Sequence, residues 1–316
     1  MKKNVLAPCV LLLSVIVLGF SACDSTLQQP EIYDIVATVF PAYDFARAVA
    51  GDALKIKMLI SPGSEAHGYT PTLDELAEGQ NCKLFIYTGG STDAWADEQF
   101  ASGSIDTSQF TSIAMTDCVA LLPIAGNTEE HTSAEERIHG SDFDEHVWTS
   151  PENAVLLVTQ ICSTLCEIYP DKEDIFTANR DSYIARIREQ ENAMWEIVNN
   201  ADNKLLVFEN RFPFAYFCEY FGLSHLAAFG SCASNTEVPA ATLDTLVTTI
   251  NEQNIPCILY LEFSRMETAQ QIAAATGCAK MELHSYHNVT REDFENSVTY
   301  IDLMKRNTAT LKEALS

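Results

Sequence analysis

Three of the seven histidines stand in loops that are suited to hold a metal ion. His67 follows the turn-rich segment 61–66, His146 lies just before a predicted helix, and His287 precedes the capped last helix. Loops at the ends of strands in an α/β sheet are where ligands bind, and neutral imidazole is a common zinc ligand. If the three loops converge, they predict a nitrogen-rich metal site. The alternative for His287 is a surface loop histidine.

A polar segment between Thr128 and His146 contains seven acidic residues and also carries His131 and His139. Histidines and carboxylates together suit divalent metals, so one interpretation is a loop that collects cations. The other interpretation is a solvated acidic loop.

The sequence contains none of three common catalytic or phosphate-binding motifs that would favour an enzyme. The sequence has no Gly-x-Ser-x-Gly elbow, no His-Glu-x-x-His and no phosphate-binding loop that ends in Gly-Lys. His225 lies at a predicted helix-to-strand turn on the opposite end of the fold, so we expect it to be structural.

The elements that must position these loops alternate between strands and helices. Apolar, strand-like segments are predicted at 32–39, 54–60, 84–87, 113–122, 204–208 and 257–261. Helices are predicted between them, with capping patterns at Thr72/Glu75, Ser150-Pro151, Ser264/Glu267 and Thr290/Asp293. The last of these helices is expected to run to about Leu315. This rhythm indicates parallel sheets with helices on their faces.

Residues 171–200 differ from the rest because they contain no Gly or Pro. Apolar residues recur there at helical spacing, at 184, 187, 194, 197 and 198. A helix of about 30 residues would be roughly 45 Å long. Near the middle of a chain long enough for two domains, it could act as a rigid connector.

Net charge and hydrophobic content exclude some classes of protein. The 316 residues include 44 acidic and 19 basic side chains, a formal net charge of −25. That charge argues against sequence-independent nucleic-acid binding and suits a protein that attracts cations. The 47% of hydrophobic residues excludes disorder as the main state.

The N-terminus predicts export. Lys2 and Lys3 precede an apolar run at 10–20 that is too short to span a bilayer comfortably. The run ends in Phe20-Ser21-Ala22-Cys23, which resembles the lipobox of bacterial lipoproteins, with Phe where Leu is usual. We therefore expect a signal peptide at 1–22, lipidation of Cys23 and a polar tether at 23–30. A plain secretory signal is the alternative.

Ten cysteines do not form a disulfide pattern here. Most of them lie in apolar segments, as in Pro256-Cys257-Ile258, and no Cys-x-x-Cys pair occurs. Buried free thiols behave as small hydrophobes, so we expect mostly free thiols and no structural zinc knuckle.

Several motifs in order resemble the zinc- and manganese-binding solute receptors of bacterial ABC importers. They are Phe-Pro-Ala-Tyr-Asp-Phe-Ala at 40–46, Pro-Gly-Ser-Glu-Ala-His at 62–67, Asp-Glu-His-Val-Trp at 144–148 and Glu-Val-Pro at 237–239. The resemblance spans residues 31–315. It implies two (β/α) lobes with parallel sheets, at 31–170 and 204–316, joined by a single long backbone helix at 171–203. It also implies a metal held in the cleft between the lobes.

The resemblance implies His67 and His146 as the first two metal ligands. The family's third ligand position is occupied by Arg211, and a guanidinium cannot bind a cation. The fourth position, an acid in the family, is His287 here. Glu209 is a substitute ligand on this interpretation, and Cys232 or Glu237 could reach in from the next loop. Arg211 could instead pair with Glu209 or Glu237 and orient that carboxylate.

The function that the resemblance implies is capture of zinc outside the cell, with manganese less favoured, and delivery to an ABC permease. The receptor would be a monomer anchored to the membrane through lipid on Cys23, with no catalytic step and no nucleic-acid partner. Two alternatives are a secreted metal-dependent hydrolase and a receptor of this fold with altered or lost metal specificity.

Overall fold

The computed structural model describes residues 32–124, 143–230 and 238–316. Two four-stranded parallel sheets form two lobes, in the strand orders β2-β1-β3-β4 and β6-β5-β7-β8. The first lobe contains β1 (Ile35–Ala37), β2 (Ile56–Met58), β3 (Leu84–Tyr87) and β4 (Thr111–Ala114); the second contains β5 (Leu205–Phe208), β6 (Ser224–Ala227), β7 (Cys257–Tyr260) and β8 (Ala279–Glu282). The predicted fold class is confirmed.

Helices cover these sheets, and short 3-10 turns connect several of the elements. The helices are α1 (Phe40–Ala50), α2 (Leu73–Gln80), α3 (Ala94–Ala101), α4 (Pro151–Ile168), α5 (Glu173–Asn200), α6 (Ala215–Phe221), α7 (Ala240–Gln253), α8 (Glu267–Thr276), α9 (Arg291–Glu295) and α10 (Tyr300–Ala314). Within the described residues, no helix combines the length and apolar character needed to cross a membrane.

The long helix α5 connects the two lobes. Its 28 residues correspond to about 42 Å at 1.5 Å per residue. Phe176, Tyr183, Ile187, Met194 and Val198 are buried along one face, which packs against α1, α4 and α10. One continuous apolar core joins this face to both lobes, so the helix is fixed to each of them.

Local capping signals set several helix ends. Ser150 accepts a hydrogen bond from the Asn153 amide at the start of α4, as Ser150-Pro151 predicted. Thr72 and Glu75 exchange hydrogen bonds before α2, with Glu75 accepting from the Thr72 amide at 2.7 Å. Gly277 ends α8 at φ 80°, a left-handed conformation that glycine adopts without strain.

Three predicted elements differ in the structure. The strand predicted at 113–122 is β4, which ends at Ala114 before a 3-10 turn. Ser264 does not cap α8: its hydroxyl accepts from the Met266 amide, and Met266 is the residue that precedes the helix. The predicted final helix is interrupted after α9, because Thr299 and Asp302 form a capping box that starts α10.

The seven described cysteines are free thiols: Cys82, Cys118, Cys162, Cys166, Cys218, Cys257 and Cys278. Burial raises the pKa of Cys82 and Cys257 to about 12. These two thiols therefore stay protonated and behave as apolar side chains.

Candidate metal centre

Three histidines meet between the lobes. The ring centroids are 5.5 Å apart for His67 and His146, 4.8 Å for His67 and His287, and 5.2 Å for His146 and His287. One nitrogen from each ring lies within 4.8 Å of the other two. Each loop follows the carboxyl end of a strand, which is where α/β sheets bind ligands.

His67 lies in the loop between β2 and α2, and Glu65 fixes its ring. Glu65 Oε1 lies 3.0 Å from His67 Nδ1 and also accepts a hydrogen bond from the His67 amide at 3.3 Å. An ionised carboxylate only accepts, so this contact assigns the ring proton to Nδ1. Nε2 of His67 then presents its lone pair toward the other two rings.

The second lobe holds the loop that carries His67. The Asn288 side-chain amide donates to the carbonyl oxygens of Ser61 and Ser64, at 2.9 and 2.8 Å. The Gly63 amide donates to the Val289 carbonyl at 2.7 Å. The position of His67 therefore depends on contacts that cross between the lobes.

His146 is buried, with 1% of its surface exposed, and Asp144 fixes its ring. Asp144 Oδ1 lies 2.9 Å from His146 Nδ1 and accepts from the His146 amide at 2.9 Å. The neighbouring Trp148 donates its Nε1 proton to the Ser285 carbonyl at 2.9 Å. This bond connects the His146 segment to the loop that carries His287.

His287 lies in the loop after β8. Its amide donates to Ser285 Oγ at 3.3 Å, and Ser285 in turn donates its hydroxyl to Glu262. Between them, Tyr286 takes φ 64°, an uncommon conformation for a bulky residue. Its buried ring packs on Tyr300 with centroids 4.4 Å apart. The turn is thus held by the core beneath it.

Two of the histidine nitrogens are suited to bind a metal ion. Nε2 of His146 and Nε2 of His287 are buried and have no hydrogen-bond partner among the described residues, which is costly unless a ligand satisfies them. Burial, followed by the charges of His67, His146 and Arg211, lowers the pKa of His287 well below its usual value. His287 is therefore neutral and able to bind a cation.

The cavity at the histidines is small. Its volume is about 30 Å³, and its lining includes all three histidines, Arg211 and Ser285. That is room for about one water molecule, far below the roughly 300–1,000 Å³ of organic-ligand sites. An ion fits this space.

Arg211 lies at the edge of this cavity and contacts Glu65. Its Nη2 donates to Glu65 Oε2 at 2.9 Å, and its Nη1 lies 3.4 Å from His67 Nδ1. The hydrogen bond to His67, and next the hydrogen bond and charge of Arg211, hold the pKa of Glu65 well below its usual range. The described partner of Arg211 is thus Glu65, not Glu209 as one interpretation of the sequence had it.

The structure does not bring Glu209 to the histidines. Its buried carboxylate accepts the Ala269 amide at 2.6 Å and the Ser264 hydroxyl, so it stabilises the start of α8. Cys23, His131, His139, Cys232 and Glu237, which the sequence also suggested, lie outside the residues that the structure describes.

His225 is apart from the metal centre, as expected of a structural histidine. It lies in β6, and its ring stacks on Phe212 at 3.6 Å between centroids. Burial lowers its pKa.

Glu65 was not among the site residues predicted from the sequence, although the sequence contains a signal for it. Glu65-Ala66-His67 and Asp144-Glu145-His146 both place an acid two residues before a histidine. In each case the acid binds Nδ1 and the amide of that histidine. Such carboxylate–histidine pairs orient metal ligands.

Two α/β lobes with three convergent histidines between them define a two-lobed fold with a candidate metal site. A family model described as "Zinc-uptake complex component A periplasmic" (ZnuA) matches residues 35–314. The chain belongs to this ZnuA family, which is one of zinc-uptake components and not of enzymes.

Relatives in two organisms resemble the chain. Zinc-binding lipoprotein AdcA of Streptococcus pneumoniae strain R6 is 30% identical over 306 residues, which cover 96% of this chain and 60% of that protein. The chain thus spans less than two thirds of AdcA. The high-affinity zinc uptake system protein ZnuA of Bacillus subtilis is 26% identical over 283 residues, 89% of this chain and 87% of that one.

Solved structures share the fold. The Zn(II)-bound ZnuA-like domain of S. pneumoniae AdcA superposes with a TM-score of 0.75 at 28% identity, over 90% of this chain and 99% of that domain. The metal-dependent lipoprotein YcdH of B. subtilis has a TM-score of 0.76 at 23% identity, over 90% of this chain and all of that one.

Proposed function

We propose that this protein is an extracytoplasmic receptor that captures zinc in the cleft between its lobes and delivers it to an ABC permease. The observation that carries the proposal is the convergence of His67, His146 and His287, with two Nε2 atoms buried and available for a metal. Membership of the zinc-uptake family supports it, as do relatives named for zinc binding.

The ligand chemistry favours zinc over manganese. Neutral imidazoles suit zinc, whereas manganese prefers oxygen-rich octahedral sites. The carboxylates of Glu65 and Asp144 contact the Nδ1 atoms, so they orient the rings and raise their basicity. The ion is cargo in this function, so the protein binds and releases it without breaking a bond.

Metal titration of the mature protein tests the function. We expect about one zinc ion per chain and an affinity for manganese lower by on the order of 100-fold or more. Calorimetry with each ion, after removal of bound metal by a chelator, measures both values. Tight manganese binding without zinc binding would contradict the choice of cargo.

We propose that Cys23 carries the membrane anchor and that the protein acts as a monomer. The motif at residues 20–23 supports lipidation, and one relative is named a lipoprotein. His131 and His139 remain predicted cation-collecting residues of the acidic loop.

Replacement of Cys23 by alanine should give a precursor that carries no lipid, because the modified thiol is gone. The variant should no longer be anchored through residue 23, because it carries no acyl chain there. Mass spectrometry and membrane fractionation measure the two effects, with Cys82→Ala as the control for loss of a cysteine elsewhere. A lipidated Cys23→Ala protein would refute the assignment.

A further inference from the structure

Glu262 connects the loop that follows β7 to the loop that carries His287. Strands β7 and β8 are parallel neighbours, and Tyr260 at the end of β7 lies opposite Glu282 at the end of β8. The loops that follow them therefore leave the same edge of the second sheet. The Glu262 side chain is only 7% exposed, and it lines the histidine cavity. A nearly buried carboxylate thus lies beside the turn that presents His287.

Three of the polar groups of Ser285 take part in hydrogen bonds at this junction. Its amide donates to Glu262 Oε2 at 2.8 Å, and its hydroxyl donates to Glu262 Oε1. The same hydroxyl oxygen accepts from the His287 amide at 3.3 Å, and the Ser285 carbonyl accepts from Trp148 Nε1 at 2.9 Å. Hydrogen bonds to a carboxylate are stronger than those between neutral groups, so Glu262 holds Ser285 more firmly than its other partners do.

The turn requires such a restraint because Tyr286 has φ 64°. A bulky residue keeps this conformation only where the surrounding contacts enforce it. Glu262 binds the residue just before Tyr286, and the Ser285 hydroxyl binds the amide of the residue just after it. The carboxylate thus restrains the backbone on both sides of the strained residue, and this restraint sets the direction of the His287 side chain.

The same contact extends to the first lobe through Trp148. The Trp148 ring is fully buried, and its centroid lies 5.5 Å from that of His146 and 5.1 Å from that of His287. The Ser285 carbonyl accepts its Nε1 proton, as a buried indole requires. Because Glu262 fixes Ser285, it also fixes the acceptor that holds Trp148 between the two histidines.

We propose that Glu262 is a positioning residue of the metal centre, which orients His287 toward the ion through Ser285. The inference rests on the proposed zinc-receptor function and deepens it. Both oxygens of Glu262 are bonded to Ser285, so Glu262 acts on the ion through the turn. Glu65, by contrast, contacts the ring of its histidine directly.

Glu209 provides a matched control for Glu262. It is a buried carboxylate of the same lobe, and it also accepts from one backbone amide and one serine hydroxyl, those of Ala269 and Ser264. It stabilises the start of α8 and not the turn of His287. The test compares Glu262→Gln, Glu262→Ala and Glu209→Gln in zinc affinity and in the visible spectrum of the cobalt-substituted protein, which reports ligand geometry.

We expect Glu262→Ala to lower zinc affinity by about 100-fold and Glu262→Gln by about 10-fold, the two limits usual for groups that orient a metal ligand. Glutamine keeps an acceptor for the Ser285 amide, but its NH2 group cannot accept from the hydroxyl. Both variants should alter the cobalt spectrum, whereas Glu209→Gln should match the parent. Thermal unfolding without metal verifies the fold, and Glu262→Gln carries the comparison if Glu262→Ala does not fold.

A second measurement separates positioning from a general effect on the lobe. If Glu262 acts through His287, then Glu262→Gln should cause no further loss of zinc affinity in a His287→Ala protein, because the two changes remove one path. A variant that merely loosens the second lobe would weaken binding by the same factor with His287 present or absent.

Three results would overturn the assignment. They are a folded Glu262→Gln protein with the parent's affinity and spectrum, an equal loss in Glu209→Gln, or the same loss from Glu262→Gln in the His287→Ala background. Each of them would leave the receptor function intact as long as the parent binds zinc tightly. A parent protein that binds neither zinc nor cobalt would instead overturn the receptor function itself, and this inference with it.

Discussion

Replacement of His146 by alanine should lower zinc affinity by about 100- to 1,000-fold. Structural zinc sites bind with roughly 10–16 kcal/mol, so loss of one ligand among three or four removes on the order of 3–4 kcal/mol, at 1.4 kcal/mol per factor of ten. His146 is held more firmly than His67, because Asp144, which binds both its Nδ1 and its amide, is buried, whereas the Glu65 side chain is 50% exposed.

The measurement is competition for zinc against a chromophoric chelator, with His225→Ala as the matched control. His225 loses the same side chain but lies in β6, stacked on Phe212, so its zinc affinity should stay at the parent value. A His146→Ala protein within about threefold of the parent, with the fold intact, would exclude His146 as a ligand. Equal losses in both variants would point to a general effect on folding.

The sequence predicted the architecture because its signals are local and repeated. Strand β3 is found at residues 84–87 as predicted, since four apolar residues are bounded by polar ones and a Gly-Gly turn. The long helix was recognisable from an uninterrupted stretch without Gly or Pro. Strand β8 was missed, and β6 was expected only as a strand after a turn at His225, which in fact lies within it. Both are partly exposed edge strands whose sequences, Ser-His-Leu-Ala and Ala-Lys-Met-Glu, carry little apolar signal.

Competition between neighbouring local signals explains the error in the last helix. Thr290 does cap a helix, as predicted, and its hydroxyl accepts from the Asp293 amide. A second capping box at Thr299 and Asp302 starts another helix a few residues later, and Ser297 at φ 55° separates the two. The sequence alone does not show which of two helix-capping motifs starts the final helix, because that depends on which apolar residues pack into the core.

The sequence predicted which loops carry the site histidines but not which residues the neighbouring side chains contact. The three histidines could be proposed because each lies in a loop after the carboxyl end of a parallel strand, two in the first lobe and one in the second. The partners of Arg211 and Glu209 could not be assigned, because they depend on how the lobes meet. Arg211 contacts Glu65 of the other lobe, whereas Glu209 is used within its own lobe by α8.

Removal of the Arg211 side chain should lower zinc affinity by roughly 10- to 100-fold without abolishing the site, as is usual for groups that orient a metal ligand. Arg211 donates to Glu65 Oε2, and Glu65 Oε1 holds Nδ1 of His67. The guanidinium thus acts on the metal through Glu65 and His67. The loss should lie near the lower limit, because the Glu65 side chain is 50% exposed and water weakens exposed ion pairs.

A double-mutant cycle identifies this path. If Arg211 acts through Glu65, the double variant Arg211→Ala/Glu65→Gln should bind zinc about as weakly as the weaker single variant, because residues of one network are not additive. If the losses of zinc affinity in the two single variants add in the double variant, Arg211 and Glu65 act independently. The control is Arg306→Ala, which breaks a 2.7 Å ion pair with Asp293 in the second lobe and should leave the affinity unchanged.

Arg211→Lys extends the test, since lysine keeps the charge but lacks the planar donor fork, so only partial rescue is expected. If Arg211→Ala binds zinc as the parent does, the ring of His67 is held by Glu65 alone, and Arg211 serves only to join the two lobes.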